Sequence, residues 1–139
     1  MTVMIRRAAA AQACIDQFLN QPYQPGKCDC IRLAGFAARE LERSVGLIDE
    51  LRYRTEAGGL KAMLKLGFKS LVEAVDAAGL ERIAPAAALP GDIIALPSEP
   101  NDPFGCALTV AVGNGRVLGF QHGVGAVLQP LDFVAAWRV

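Results

Sequence analysis

Residues 25–40 read Pro-Gly-Lys-Cys-Asp-Cys-Ile-Arg-Leu-Ala-Gly-Phe-Ala-Ala-Arg-Glu. Pro25 and Gly26 belong to a loop, which also holds Pro22 and spans Gln21 to Lys27. An apolar stripe then begins, with Ile31, Leu33, Ala34, Ala37, Ala38 and Leu41 on one face and Arg39, Glu40, Glu42 and Arg43 mostly on the other. That spacing predicts a helix from Cys30 to about Arg43. Asp29 is its natural N-cap, because a short acidic side chain accepts from the unpaired N–H groups of the first turn. Cys30 is thereby placed where those N–H groups and the helix dipole favour negative charge. A thiol there is a candidate nucleophile, since the thiolate is the reactive form. The competing reading makes Cys30 a small apolar residue packing a helix start. Cys28, still in the loop, meets the condition less well.

Outward from this stretch, the first half reads helical. Ile5, Ala8, Ala11, Ile15 and Phe18 recur at helical spacing, predicting a helix over about residues 3–19. Arg6, Arg7, Ala8 to Ala11 and Cys14 also admit a signal-peptide reading with a lipoprotein-type cysteine. The apolar run is short, mostly alanine and interrupted by Gln12, so an ordinary helix is preferred and no signal peptide is expected. Gly58–Leu66 and Ser70–Ala78 predict two short helices, stopped at Gly67 and Gly79. The second half predicts strands over Ile93–Leu96, Ala107–Val112, Arg116–Gln121 and Val124–Leu128, with Gly113-Asn114-Gly115 as a hairpin turn. Helices followed by an antiparallel meander define an α+β domain.

Length and composition bound the rest. At 139 residues the chain suits a single domain spanning 1–139, and it needs no metal or disulfide to fold. Fourteen basic and fourteen acidic residues cancel, which argues against nucleic acid as a partner. With a mean hydropathy of +0.30, this neutrality favours a protein that packs against others. The richest apolar stretch, Ile83 to Pro97, is cut by Pro85, Pro90 and Asp92, so no membrane insertion is expected.

Tyr23, Gly26 and Asp29-Cys30 ahead of an apolar helix resemble the aromatic–glycine–Asp–Cys signature of NlpC-type, papain-like cell-wall cysteine peptidases. Gly91-Asp92-Ile93-Ile94 resembles the Gly-Asp strand opening of that class, and Thr109 to Val117 resembles its next strand and hairpin. Arg52 to Phe68 and the closing Ala136-Trp137-Arg138-Val139 resemble a narrower branch, a family of small proteins of phage and prophage genomes. The resemblance implies a papain-like fold, cell-wall peptides as ligands and other phage tail proteins as partners. It also implies a place in the virion tail, or in the host cytoplasm before assembly.

In that class the cysteine attacks a stem-peptide bond. A histidine opening the central strand takes the proton, and a polar residue on the next strand orients it. The hairpin alignment places the base near Ala107, with Cys106 beside it, and the orienting residue near Gly119. None of the three can act as the class requires. His122 is the only histidine in the chain. It lies three residues past the orienting position, an odd offset that turns it to the other face unless a bulge re-aims it. The expectation is therefore a tail-tip or baseplate adaptor with a degenerate peptidase domain, in which Asp29 and Cys106 flank a binding cleft. The alternative is a peptidoglycan amidase or endopeptidase using Cys30 with His122 as a displaced base.

The four cysteines also allow a zinc or iron–sulfur reading. The Cys28–Cys30 spacing lacks the usual C-x2-C pattern, and neither metal nor cofactor is expected. A redox-labile pairing of Cys30 with Cys106 remains open. Asp92 reads as a turn residue and Trp137 as an anchor for the tail. Arg52 and Arg54, around Tyr53, read as a solvated loop edge.

Overall fold

A computed structural model describes residues 2–139. Helix α1 covers Val3–Phe18 and is capped by the Thr2 hydroxyl, which accepts from the Ile5 N–H. Its buried face differs from the expected one. Arg7, Ala10, Ala11, Cys14 and Phe18 face inward, while Ile5 and Ala8 are exposed. The stripe is rotated because Arg7 is drawn in by a buried partner, Asp92, described below.

Helix α2 runs Cys30–Glu40 and packs Ile31, Leu33, Ala34, Ala37 and Ala38 inward. Three alanines on that face let it lie close to α1 and to the sheet. The helix stops at Glu40 rather than Arg43. Leu41 already departs from helical geometry, and Glu42 takes a left-handed φ of 59°. A 3-10 turn at Gly46–Glu50 precedes α3, Glu56–Lys65, and α4, Leu71–Asp76, capped by Thr55 and Ser70.

The strands are β1 Glu81–Ile83, β2 Ile93–Leu96, β3 Ala107–Gly113, β4 Arg116–Gln121, β5 Val124–Leu128 and β6 Ala135–Arg138. They form one six-stranded antiparallel sheet in the order β1-β6-β2-β3-β4-β5. The meander is confined to β2 through β5. The closing segment returns to the middle of the sheet as β6, inserted between β1 and β2. Neither β1 nor β6 was expected, since each is short and finds its partners only across long sequence separations. The domain is α+β.

One sheet face carries Ile93, Ala95, Cys106, Leu108, Ala135 and Trp137 into a core shared with α2, α3 and α4. Val110 and Leu118 continue that face beneath Cys14, Phe18, Leu33 and Ala37. Ile94, Ala111, Val117 and Ala136 lie on the other face under a smaller cluster. Trp137 is fully buried, donates its indole N–H to Asp76 at 2.8 Å and lies beneath the Arg82 guanidinium. It is a core anchor. Among the described residues no helix is long and apolar enough to cross a membrane.

Candidate active site and its pocket

Gln24 and Cys28 exchange backbone hydrogen bonds of 2.8 Å, so the loop ahead of α2 closes as a tight turn. Gly26 sits at its tip with φ 81°. Only glycine fits, because a Cβ there would lie 2.0 Å from the Tyr53 carbonyl oxygen. The Gly26 N–H donates to Asp29 Oδ2 at 2.8 Å, and Asp29 Oδ1 accepts from the Arg32 N–H at 2.9 Å. Asp29 is therefore the helix cap and also the acceptor that holds the turn. The Tyr53 hydroxyl completes its shell at 2.5 Å.

Arg32 braces the same corner. Its Nε donates to the Gly26 carbonyl at 3.0 Å and its Nη1 to the Asp49 carbonyl at 2.9 Å. Nη2 donates to the Leu51 carbonyl, and the guanidinium lies over the Tyr53 ring. This framework fixes the first turn of α2, and with it Cys30. Neither Tyr53 nor Arg32 was singled out from the sequence. The readable signal was Gly59, in the first turns of α3, where glycine weakens a helix. A Cβ at Gly59 would come within 3.0 Å of the Tyr53 ring.

Cys30 opens into a cavity of about 570 Å³. Ile31, Leu60, Leu71, Phe104, Cys106, Leu108 and Phe120 supply apolar wall. The loop between β2 and β3 closes one side with Ser98, Glu99, Asp102 and Pro103. That loop is tied to α4 by the Leu71 N–H donating to the Phe104 carbonyl at 3.0 Å. Tyr23, also in the wall, donates its hydroxyl to Glu56 at 2.7 Å and meets the Phe120 ring edge-on.

The structure brings Asp29, Cys30 and Cys106 to this one cavity. His122 is not among the residues lining it. It lies in the turn between β4 and β5, exposed, with a left-handed φ of 53°. Leu108 and Val110 of β3 face the helices, as does Cys106 just before the strand. Ala107, the position the family alignment assigns to the base, is on the alternate register, and it reaches the cavity without a functional group. Gly119 is flat for a packing reason. A Cβ there would lie 2.8 Å from the Thr109 methyl group.

The electrostatics oppose a thiolate. Burial pushes the Cys30 thiol up to about 12, and the negative charges of Asp29 and Asp102 add to this, as does Cys106. The Leu108 backbone N–H, directed at the sulfur, acts the other way without reversing the result. Cys106 is raised to about 11 by burial and by Asp102. Tyr53 is also raised, first by burial and then by its bond to Asp29, so its hydroxyl stays protonated and remains a donor.

All four cysteines are free thiols. The four-ligand metal reading is corrected by the packing: Cys14 belongs to the cluster under Val110, separate from the core around Cys106. Among the described residues no three His, Cys, Asp or Glu side chains are grouped to hold a metal ion.

Helices packed on one antiparallel sheet, with Cys30 at the start of α2, make up an NlpC-like fold, as two solved structures show. Both come from Trichomonas vaginalis. NlpC2 matches with a TM-score of 0.59 at 17% identity, over 96% of this chain and 47% of that one. NlpC1 matches with a TM-score of 0.58 at 18% identity, over 99% of this chain and 45% of that one. The chain thus spans a little under half the length of either. The chain belongs to the family described as Domain of unknown function (DUF6950), whose model matches residues 5–139. No curated protein matches it.

Proposed function

We propose that this domain is a binding module built on the NlpC-like fold, which holds a cell-wall peptide in the Cys30 cavity without Cys–His hydrolysis. One observation carries the reading. The surroundings of Cys30 supply Leu108, Cys106 and carboxylates, and no lining residue is a histidine that could take its proton. A thiol in such a site remains protonated at neutral pH. The cavity itself is of ligand size and largely apolar, as small-molecule and peptide sites are. The resemblance to a phage and prophage family supports a place for this module as an adaptor in the tail tip or baseplate.

A second reading keeps the domain as an amidase or endopeptidase, with Cys30 attacking and His122 as displaced base. The intact Asp29 cap ahead of Cys30 favours it. One experiment separates the two. Purified protein is titrated with soluble cell-wall stem peptides, followed by NMR, and the mixtures are analysed by mass spectrometry. Binding with no cleavage is expected. Cleavage products that vanish in Cys30→Ser overturn the adaptor reading. The tail placement is tested separately, by searching purified phage particles for this chain by mass spectrometry. Absence from complete particles removes it.

A further inference from the structure

The chain is neutral overall, yet the Cys30 cavity is not. Every ionisable carboxylate or base lining it is acidic: Asp29, Glu56, Glu99 and Asp102. No lysine, arginine or histidine among the described residues lines it. Asp29 is consumed by the helix cap and Tyr53. The other three have no cationic partner within ion-pair distance among the described residues. Glu56, at the start of α3, and Glu99, in the loop between β2 and β3, are exposed, and Asp102 is half-buried. Asp102 is held by an Asx turn, its Oδ1 accepting from the Phe104 N–H at 2.9 Å, and it lines the cavity.

We propose that the occupant of this cavity is an amphipathic cation: an apolar body against Leu60, Phe104 and Phe120, ending in a protonated amine held by Glu99 and Asp102. The inference rests on the pocket-binding reading above and narrows it to a charge class. Two physical terms combine. The apolar wall supplies burial, which is indifferent to charge. The carboxylates raise the local potential energy of any anion and lower that of any cation, more strongly because low-dielectric walls surround part of the cavity. A carboxylate-ended ligand of the same shape is rejected by the same groups.

The test uses the full chain and three probes of one shape: 5-phenylpentylamine, 5-phenylpentanol and 5-phenylpentanoate. Binding is followed by NMR shifts of the Phe104, Cys106 and Leu108 amides at low ionic strength. The amine is expected to bind about tenfold tighter than the alcohol, as for two partly exposed pairs, with the carboxylate weakest. The preference shrinks as salt is added. Glu99→Gln/Asp102→Asn preserves shape and the Asx turn, and it should bring amine and alcohol together while leaving alcohol binding unchanged. A thermal melt confirms that the variant is folded. If amine and alcohol bind alike in the unaltered protein, the charge inference is overturned and the pocket reading stands. If no probe shifts any cavity amide, the inference is overturned, and the pocket reading is decided by the stem-peptide titration above.

Discussion

The Tyr53 hydroxyl donates to Asp29 Oδ2 at 2.5 Å, linking the segment before α3 to the cap of the helix that bears Cys30. The same oxygen takes the Gly26 N–H, so one acceptor joins Tyr53 to the turn. Tyr53→Phe removes a hydrogen bond to a charged group and nothing of the ring's packing. It is expected to cost about 1.5–3 kcal/mol in urea unfolding, with faster hydrogen exchange at Gly26. Asp29→Ala strands the Gly26 and Arg32 N–H groups as well, so its cost should exceed that of Tyr53→Phe. Equal costs would show that the Tyr53 bond is the only one of the three that matters.

Cys30 should behave as an unreactive thiol. With its pKa at about 12, its thiolate fraction at pH 8 lies roughly three orders of magnitude below that of a free thiol near 8.5. Iodoacetamide labelling, resolved per cysteine by peptide mass spectrometry, should show Cys30 rising without a plateau up to pH 10. His122→Ala should leave the profile unchanged, because the His122 side chain is exposed and absent from the cavity wall. An inflection well below 8.5 that disappears in His122→Ala would establish a coupled pair and restore the hydrolase reading.

The contrast between Asp29 and Tyr53 shows what the sequence discloses. Asp29 was legible because a helix cap is a local device, settled within four residues of chain. The same is true of Ile93–Leu96, Arg116–Gln121 and Val124–Leu128, strands whose ends are set by adjacent turns. Tyr53 and Arg32 act across 24 and 17 residues respectively, and no periodicity announces such partners. Strand β6 was hidden for a related reason. Ala135–Arg138 is four residues long and becomes a strand only by pairing with β1 and β2. The acidic character of the cavity was equally dispersed, since Glu56, Glu99 and Asp102 come from two separate segments.

The three raised thiols make stability depend on pH in one direction. Cys14 and Cys30 are raised to about 12 and Cys106 to about 11, in each case chiefly by burial. The unfolded chain gives up these protons near 8.5, before the folded chain does. Stability from this source is therefore fully present below about pH 8.5 and declines as pH rises toward 11–12, by up to about 1.4 kcal/mol per pH unit for each thiol. Urea midpoints between pH 8 and pH 10 should fall, and Cys14→Ala should flatten the slope. A slope unchanged by removing Cys14 would mean that other groups carry it.

Asp92 is fully buried and serves two arginines at once. Its Oδ1 accepts from Arg7 at 2.9 Å and from the Val139 N–H at 2.9 Å. Its Oδ2 accepts from the Leu89 N–H at 2.8 Å and lies 3.0 Å from the Arg138 guanidinium. One carboxylate thus ties α1, the turn before β2 and the last strand together. The two arginines are not equivalent. The Arg7 side chain is 9% exposed, whereas that of Arg138 is 31% exposed, although its Nε, the atom facing Asp92, is itself buried. Arg7 also donates to the Pro90 and Val139 carbonyls, which lose a partner with it. Breaking a buried pair leaves an uncompensated charge and costs about 3–5 kcal/mol, while a partly solvated pair is replaced in part by water. Arg7→Ala should therefore destabilise by several kcal/mol and Arg138→Ala by much less, in urea unfolding at neutral pH. If Arg138→Ala proves the costlier, the charge of Asp92 is balanced from the strand side, and α1 is held by its apolar face alone.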